Sequence, residues 1–146
     1  MSTKHRNNVA RNILAPMALV AAKQRVGKED AAEVELPILV HFDAAKRGQG
    51  TGAGQQRIYK HLIAAQCIAQ RTQSRSFYDI TVKACDALMK ASKRPTKLLD
   101  LTTGEYHAIR QALSWYLRAL PMLEVGVASG AWQFADAILN NMPNAA

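Results

Sequence analysis

Apolar residues recur every three or four positions through most of the chain, which is the spacing of one buried face of an α-helix. Two segments show this spacing most clearly, residues 55–72 and residues 77–91. Their inward stripes are Ile58, Leu62, Ala65 and Ala69 in the first, and Phe77, Ile80, Ala84, Leu88 and Ala91 in the second. No alternating pattern long enough for a strand occurs. The pattern therefore predicts an all-α protein, a compact bundle of about five to six helices built from helical hairpins.

The expected helices are separated by glycine, proline and short polar turns. Residues 1–12 are predicted to form a basic flexible arm, and residues 13–146 a single helical domain. Pro37 is expected to kink or divide the second helix, and Pro121 to disrupt the end of the fifth. The expected helix bounds are about 16–25, 30–46, 55–72, 77–91, 102–120 and 129–141.

Local sequence also predicts where several helices begin. Thr102 and Glu105 have the spacing of a capping box, in which the threonine caps the amide of Glu105 and the carboxylate reaches back. Ser76 with Asp79 resembles the same motif, and Ser129 is placed to cap the final helix. The glycine-rich stretch 48–54 is expected to be a flexible connector.

Charge is distributed in blocks along the chain, which has a net charge of +8. Residues 1–28 carry six basic residues and no acid, whereas residues 29–43 carry five acids and neither lysine nor arginine. Residues 46–97 then carry eleven basic residues against two acids. Such blocks favour binding to a polyanion or to an acidic protein surface.

The basic residues of the middle block are the candidate binding site. Lys83 and Lys90 lie two turns apart on the fourth helix, and the basic residues continue from there to Lys93, Arg94 and Lys97. In an antiparallel hairpin, these side chains would form one broad positive surface that contacts several phosphates. The candidate contacts are Lys46, Arg47, Arg57, Lys60, Arg71, Arg75, Lys93, Arg94 and Lys97. Trp115, Trp132 and Phe134 are assigned to the core or, if exposed together, to a protein interface.

No motif in the chain indicates catalysis, a cofactor or a metal. The glycine stretch lacks the lysine and hydroxyl of a phosphate-binding P-loop, although flanking basic residues leave a phosphate clamp as an alternative. His5, His41, His61 and His107 lack the spacing of metal ligands, and Cys67 and Cys85 lack an activating partner. The chain has no apolar run that would cross a bilayer. We expect a cytoplasmic protein that is not an enzyme and holds no cofactor.

Four stretches together resemble small uncharacterised helical proteins of proteobacterial phages, plasmids and integrated mobile elements. They are the KHR start with PMALVA, FDAAKRGQGT, the pair LIAAQCIAQ and CDALMKASKR, and LTTGEYHAIRQAL. The resemblance implies an accessory protein of a mobile element and carries over no site residue.

The sequence therefore supports two functional hypotheses. The first is a non-enzymatic binding protein that engages nucleic acid or a nucleoprotein complex through a basic surface. The alternative is an inhibitor that binds an acidic host protein of a defence system, such as a CRISPR effector or a restriction enzyme, with charge steering the encounter.

Overall fold

A computed structural model describes residues 21–142 of the chain. The predicted arm, the first half of the predicted first helix and residues 143–146 lie outside these residues. The described part is all-α, as predicted, and consecutive helices pack in antiparallel pairs. Its main helices are α1 (Gly27–Lys46), α2 (Gly52–Arg71), α3 (Arg75–Ser92), α4 (Thr103–Ala119) and α5 (Val125–Asn140), with a 3₁₀ turn at Leu120–Met122.

Helix α2 is the centre of the bundle, because α1, α3, α4 and α5 all pack against it. Ile58, Leu62 and Ile68 on α2 are fully buried. Alanines at the contacts, such as Ala65 on α2 and Ala135 on α5, are buried as well and allow close approach of the helices. The neighbours of α2 therefore decide which of its polar side chains reach solvent.

The predicted capping box starts α4. Thr102 Oγ1 accepts a hydrogen bond from the Glu105 amide at 3.2 Å, and the Thr102 amide donates one to Glu105 Oε1 at 2.9 Å. Two amides that would lack partners at the helix start are thereby satisfied. The α-helical part ends at Ala119, before Pro121 in the 3₁₀ turn, as the sequence predicts.

Pro37 does not divide its helix, so that alternative is wrong. Helix α1 runs without interruption from Gly27, three residues earlier than expected, to Lys46. Ala31 before the proline and Ile38 and Phe42 after it are all buried. Packing of both halves on the same core offsets the hydrogen bond that proline cannot donate.

Two predicted helix starts are also wrong. Helix α3 begins at Arg75, so Ser76 lies inside the helix, and Ser74 is the N-cap residue without a side-chain cap bond. Helix α5 begins at Val125, which places Ser129 inside it. The early start of α5 follows from a pairing distant in sequence, in which the Val125 amide donates to the Gln24 carbonyl at 2.7 Å.

Candidate nucleic-acid interface

A backbone pairing joins the loop after α1 to the segment before α4. The Gly50 amide donates to the Leu99 carbonyl at 3.0 Å, and the Leu99 amide donates to the Gly50 carbonyl at 2.7 Å. The Leu101 amide adds a bond to the Ala45 carbonyl at 3.1 Å. A Cβ on residue 50 would lie 2.7 Å from the Leu99 Cβ, so the close approach requires glycine.

This pairing corrects the prediction of a flexible glycine connector. Gly50 is held in the pairing, and Gly52 and Gly54 belong to the first turn of α2. Thr51 caps that turn, because its Oγ1 accepts the Gly54 amide at 3.0 Å. The glycines therefore permit close packing and a helix start.

The same pairing gathers five of the nine candidate basic residues at one end of the bundle. Two come from the end of α1 and three from the segment after α3, which are far apart in sequence. We refer to these residues as the basic corner: Lys46, Arg47, Lys93, Arg94 and Lys97.

Arg94 has a structural role in the basic corner, because it joins the segment after α3 to the start of α4. Its guanidinium donates to both carboxylate oxygens of Glu105 at 2.6 Å and to the Asp100 carbonyl at 2.5 Å. The hydrogen bond from Arg94 is the main reason that the pKa of Glu105 falls to about 2, with smaller contributions from Thr102. Glu105 thus remains ionised while it completes the cap of α4. Arg94 is committed to this contact rather than available for a ligand.

Lys46 and Arg47 have weaker partners. The Lys46 ammonium lies 4.7 Å from the centre of the Tyr106 ring, which stacks on Phe42. Arg47 pairs with Asp43 at 3.0 Å, with both side chains 61% exposed. An ion pair so open to water contributes little stability. Arg47 therefore readily exchanges the carboxylate of Asp43 for a phosphate. Both cations therefore remain usable at the surface.

Lys93 and Lys97 are exposed, and neither forms an ion pair within residues 21–142. Lys83 and Lys90, which the sequence placed in the positive surface but not among the nine candidate contacts, continue the basic surface along α3. They line a shallow depression of about 430 Å³ together with Arg94 and Thr102. The spacing of the two lysines on one helix face, directed toward Lys93, was the signal for including them.

The remaining four candidates do not join the basic corner. Arg57, Lys60 and Arg71 lie on one stripe of α2 by helical spacing, but Ala64 and Ile68 between them are buried. The stripe is thus interrupted by packing.

Lys60 is instead paired with Asp136 of α5 at 3.1 Å, close to Arg57 in a shallow pocket. Arg71 and Arg75 lie at the opposite end of the α2–α3 hairpin, since Arg57 and Arg71 are separated by about 21 Å of helix rise. The single broad surface expected from the sequence is therefore divided into separate groups.

The three aromatic candidates have different environments. Trp115 stacks on Phe77 with ring centres 4.5 Å apart, and the Trp132 indole N–H donates to the Tyr116 hydroxyl at 2.7 Å. Both tryptophans are half-buried, whereas Phe134 is 50% exposed on α5. The two tryptophans contribute to packing between helices, and Phe134 is open to a partner.

A buried polar chain connects α2, α4 and α5. Tyr116 Oη accepts from Trp132 and lies 2.7 Å from Nδ1 of His61. Burial, followed by the positive charges of Lys60 and Arg57, lowers the pKa of His61 to about 4, and burial raises the pKa of Tyr116. The tyrosine hydroxyl accepts from the indole, and its own proton is free to donate to Nδ1 of the neutral imidazole when Nε2 carries the ring proton. This chain orients three helices and has a structural role.

Within residues 21–142, no group of three or more His, Cys, Asp or Glu side chains is arranged to hold a metal ion. None of the helices in this range is both long enough and apolar enough to cross a bilayer. Burial raises the pKa of Cys85 to about 12, so its thiol stays protonated and is a poor nucleophile.

Comparison of the chain with protein-family models, with curated proteins and with solved structures gives no match. The function of the protein is therefore inferred from its residues and their contacts.

One surface feature of α1 was not predicted from the sequence. Leu36, Leu39 and Val40 on α1 are exposed to 67, 42 and 57%. The signal was the run LPILV, which contains more apolar residues than the single buried face of a helix requires.

Proposed function

We propose that this protein is a non-enzymatic binding protein, an accessory factor of a mobile element, that engages nucleic acid or a nucleoprotein complex through the basic corner. The observation that supports the proposal most directly is the Gly50–Leu99 pairing, which concentrates cations from two distant segments. Lys46, Arg47, Lys93 and Lys97 are the contacts to phosphate, and Arg94 positions the segment that carries the two lysines.

The balance of charge at the basic corner supports the same proposal. The five residues of the basic corner and the adjacent Lys90 give six basic residues, and the acids beside them are four, Asp43, Asp86, Asp100 and Glu105. Glu105 is neutralised by Arg94, so the charge presented to solvent is positive. The affinity for a polyanion is expected to fall steeply as salt increases, because each phosphate contact releases counterions.

The test is fluorescence anisotropy with labelled duplex DNA, single-stranded DNA and RNA, at low and at physiological salt. The variant Lys93→Ala/Lys97→Ala removes two contacts from the corner. Arg71→Ala/Arg75→Ala is the matched control, since it removes the same charge from the other end of the hairpin. We expect the corner variant to weaken binding and to reduce the salt slope by about two, with a smaller effect of the control.

Two outcomes would contradict this proposal. Absence of binding at low salt, where electrostatic attraction is strongest, would exclude nucleic acid as the ligand. Equal weakening by the two variants would mean that net charge alone attracts the nucleic acid and that the corner is not the site.

The exposure of Phe134 favours a second candidate, an inhibitor of a host defence protein. Here the C-terminal helix would carry the contact, and the basic surface would steer association with an acidic partner. Phe134→Ala should abolish capture of a purified CRISPR effector or restriction enzyme that binds the wild-type protein. Undiminished capture by this variant would remove α5 as the contact.

A further inference from the structure

Helix α1 presents an apolar ridge to solvent. We use the term apolar ridge for Leu36, Leu39 and Val40, which are adjacent on the outer face of the helix. Acidic side chains flank the ridge on both sides, with Glu33 on one and Glu35 on the other. Large aliphatic side chains clustered at the surface and rimmed by charge are typical of a contact with another protein.

A groove runs beside the ridge, between α1 and α4. Its volume is about 1100 Å³, and its floor contains the apolar side chains of Phe42, Leu113 and Leu117. The far wall belongs to α4 and is basic, with Arg110 and Arg118 both exposed. The near wall is the acidic edge of α1. One surface thus offers a ridge with acidic flanks and, next to it, a groove with a basic wall.

These two features complement each other if they belong to different molecules. A two-fold dimer uses the same patch on both subunits, so that patch must be self-complementary. We infer that a second copy of this chain docks here, with the apolar ridge of each protomer in the α1–α4 groove of the other. In this arrangement Glu33, on the flank of the ridge away from its own groove, approaches Arg110 and Arg118 of the partner protomer.

The dimer explains why the ridge is apolar although no helix within residues 21–142 covers it. Burial of the three aliphatic side chains in the partner groove supplies the hydrophobic part of the association. The acid–base contacts fix the register and disfavour other pairings. The inference does not rest on the nucleic-acid proposal, because the ridge, Arg110 and Arg118 are not part of the basic corner, which shares only Lys46 with the lining of the groove.

The first test is sedimentation velocity of the full chain from low to high micromolar concentration. The wild type should sediment as a monomer–dimer equilibrium. Leu36→Ser/Val40→Ser should weaken the dimer by about tenfold or more, since the apolar area that both side chains bury in the partner groove is lost. Phe134→Ser is the matched control, because its ring is similarly exposed on α5, and it should leave the equilibrium unchanged.

A charge exchange tests the orientation. Glu33→Lys and Arg110→Glu/Arg118→Glu should each weaken self-association, because like charges then face each other. Mixing the two variants should restore a dimer, because both contacts then pair opposite charges, one with the charges exchanged and the other as in the wild type. All of these positions are on the surface, and circular dichroism would verify that each variant is folded.

A wild type that stays monomeric throughout the concentration range would overturn the inference. A dimer that persists in Leu36→Ser/Val40→Ser would also overturn it, since another face would then form the contact. A dimer that tolerates both charge variants would refute the proposed placement of the ridge in the partner groove.

Discussion

Acidification should destabilise this protein through His61, and the size of the effect follows from its burial. In the folded protein the pKa of this side chain is about 4, below its ordinary value of 6.5. Between these two values, the unfolded chain binds a proton that the folded chain does not. The stabilising contribution is therefore fully present above pH 6.5 and is lost as the pH falls toward 4.

The linkage relation gives the magnitude. The free energy of unfolding changes by about 1.4 kcal/mol per pH unit within this window, which amounts to about 2 kcal/mol between about pH 7 and pH 5. Glu105 does not contribute there, because its folded-state pKa is about 2 and its stabilisation is lost only below its ordinary value of 4.5. The two groups therefore affect separate ranges of pH.

The perturbation that isolates this effect is His61→Gln. Glutamine does not titrate, and its carbonyl oxygen is able to accept the Tyr116 hydroxyl as the imidazole Nδ1 does. Urea unfolding, followed by helical circular dichroism, would be measured for both proteins at about pH 5, 6 and 7. From about pH 7 to pH 5, the free energy of unfolding should decrease by about 2 kcal/mol more for the wild type than for His61→Gln.

Thr102→Ala is the control for His61→Gln, because it removes a cap without changing a group that titrates in this range. Its stability should be lower than that of the wild type by a similar amount at each pH. If wild type and His61→Gln show the same dependence on pH, the reasoning about the buried histidine is refuted.

Three further substitutions test the packing and the local structure by urea unfolding. Thr102→Ala should cost about 1 kcal/mol through loss of the cap on the Glu105 amide, and an unchanged midpoint would contradict the capping box. Leu62→Ala, at a fully buried position, should cost about 2–5 kcal/mol; a smaller loss would mean that α2 is not the centre of the core. Gly50→Ala should cost about 1–3 kcal/mol, since its Cβ would collide with Leu99, and it should also weaken nucleic-acid binding if the basic corner is the site.

The interruption of the basic stripe shows why the candidate site was only partly predictable. Helical spacing correctly places Arg57, Lys60 and Arg71 on one side of α2, but it does not reveal that α2 is packed on several sides at once. Ala64 and Ile68 of the same stripe are buried. Similarly, a charge count treats Arg94 and Lys93 as equivalent, whereas only Arg94 is committed to Glu105.

The sequence by itself determined the helical period and the cap of α4, which depend on neighbours within about four residues, whereas the similar motif at Ser76 did not form a cap. The helical period predicted the all-α bundle, and the capping box between Thr102 and Glu105 formed as expected, since its hydrogen bonds span three residues. Tertiary structure decided the features that depend on contacts between distant segments. The pairing of residue 24 with residue 125 moved the start of α5, and the pairing of Gly50 with Leu99 assembled the basic corner. Such pairings bring together residues about fifty or a hundred positions apart, and their free energy comes from the packed fold, which periodicity and local spacing do not encode.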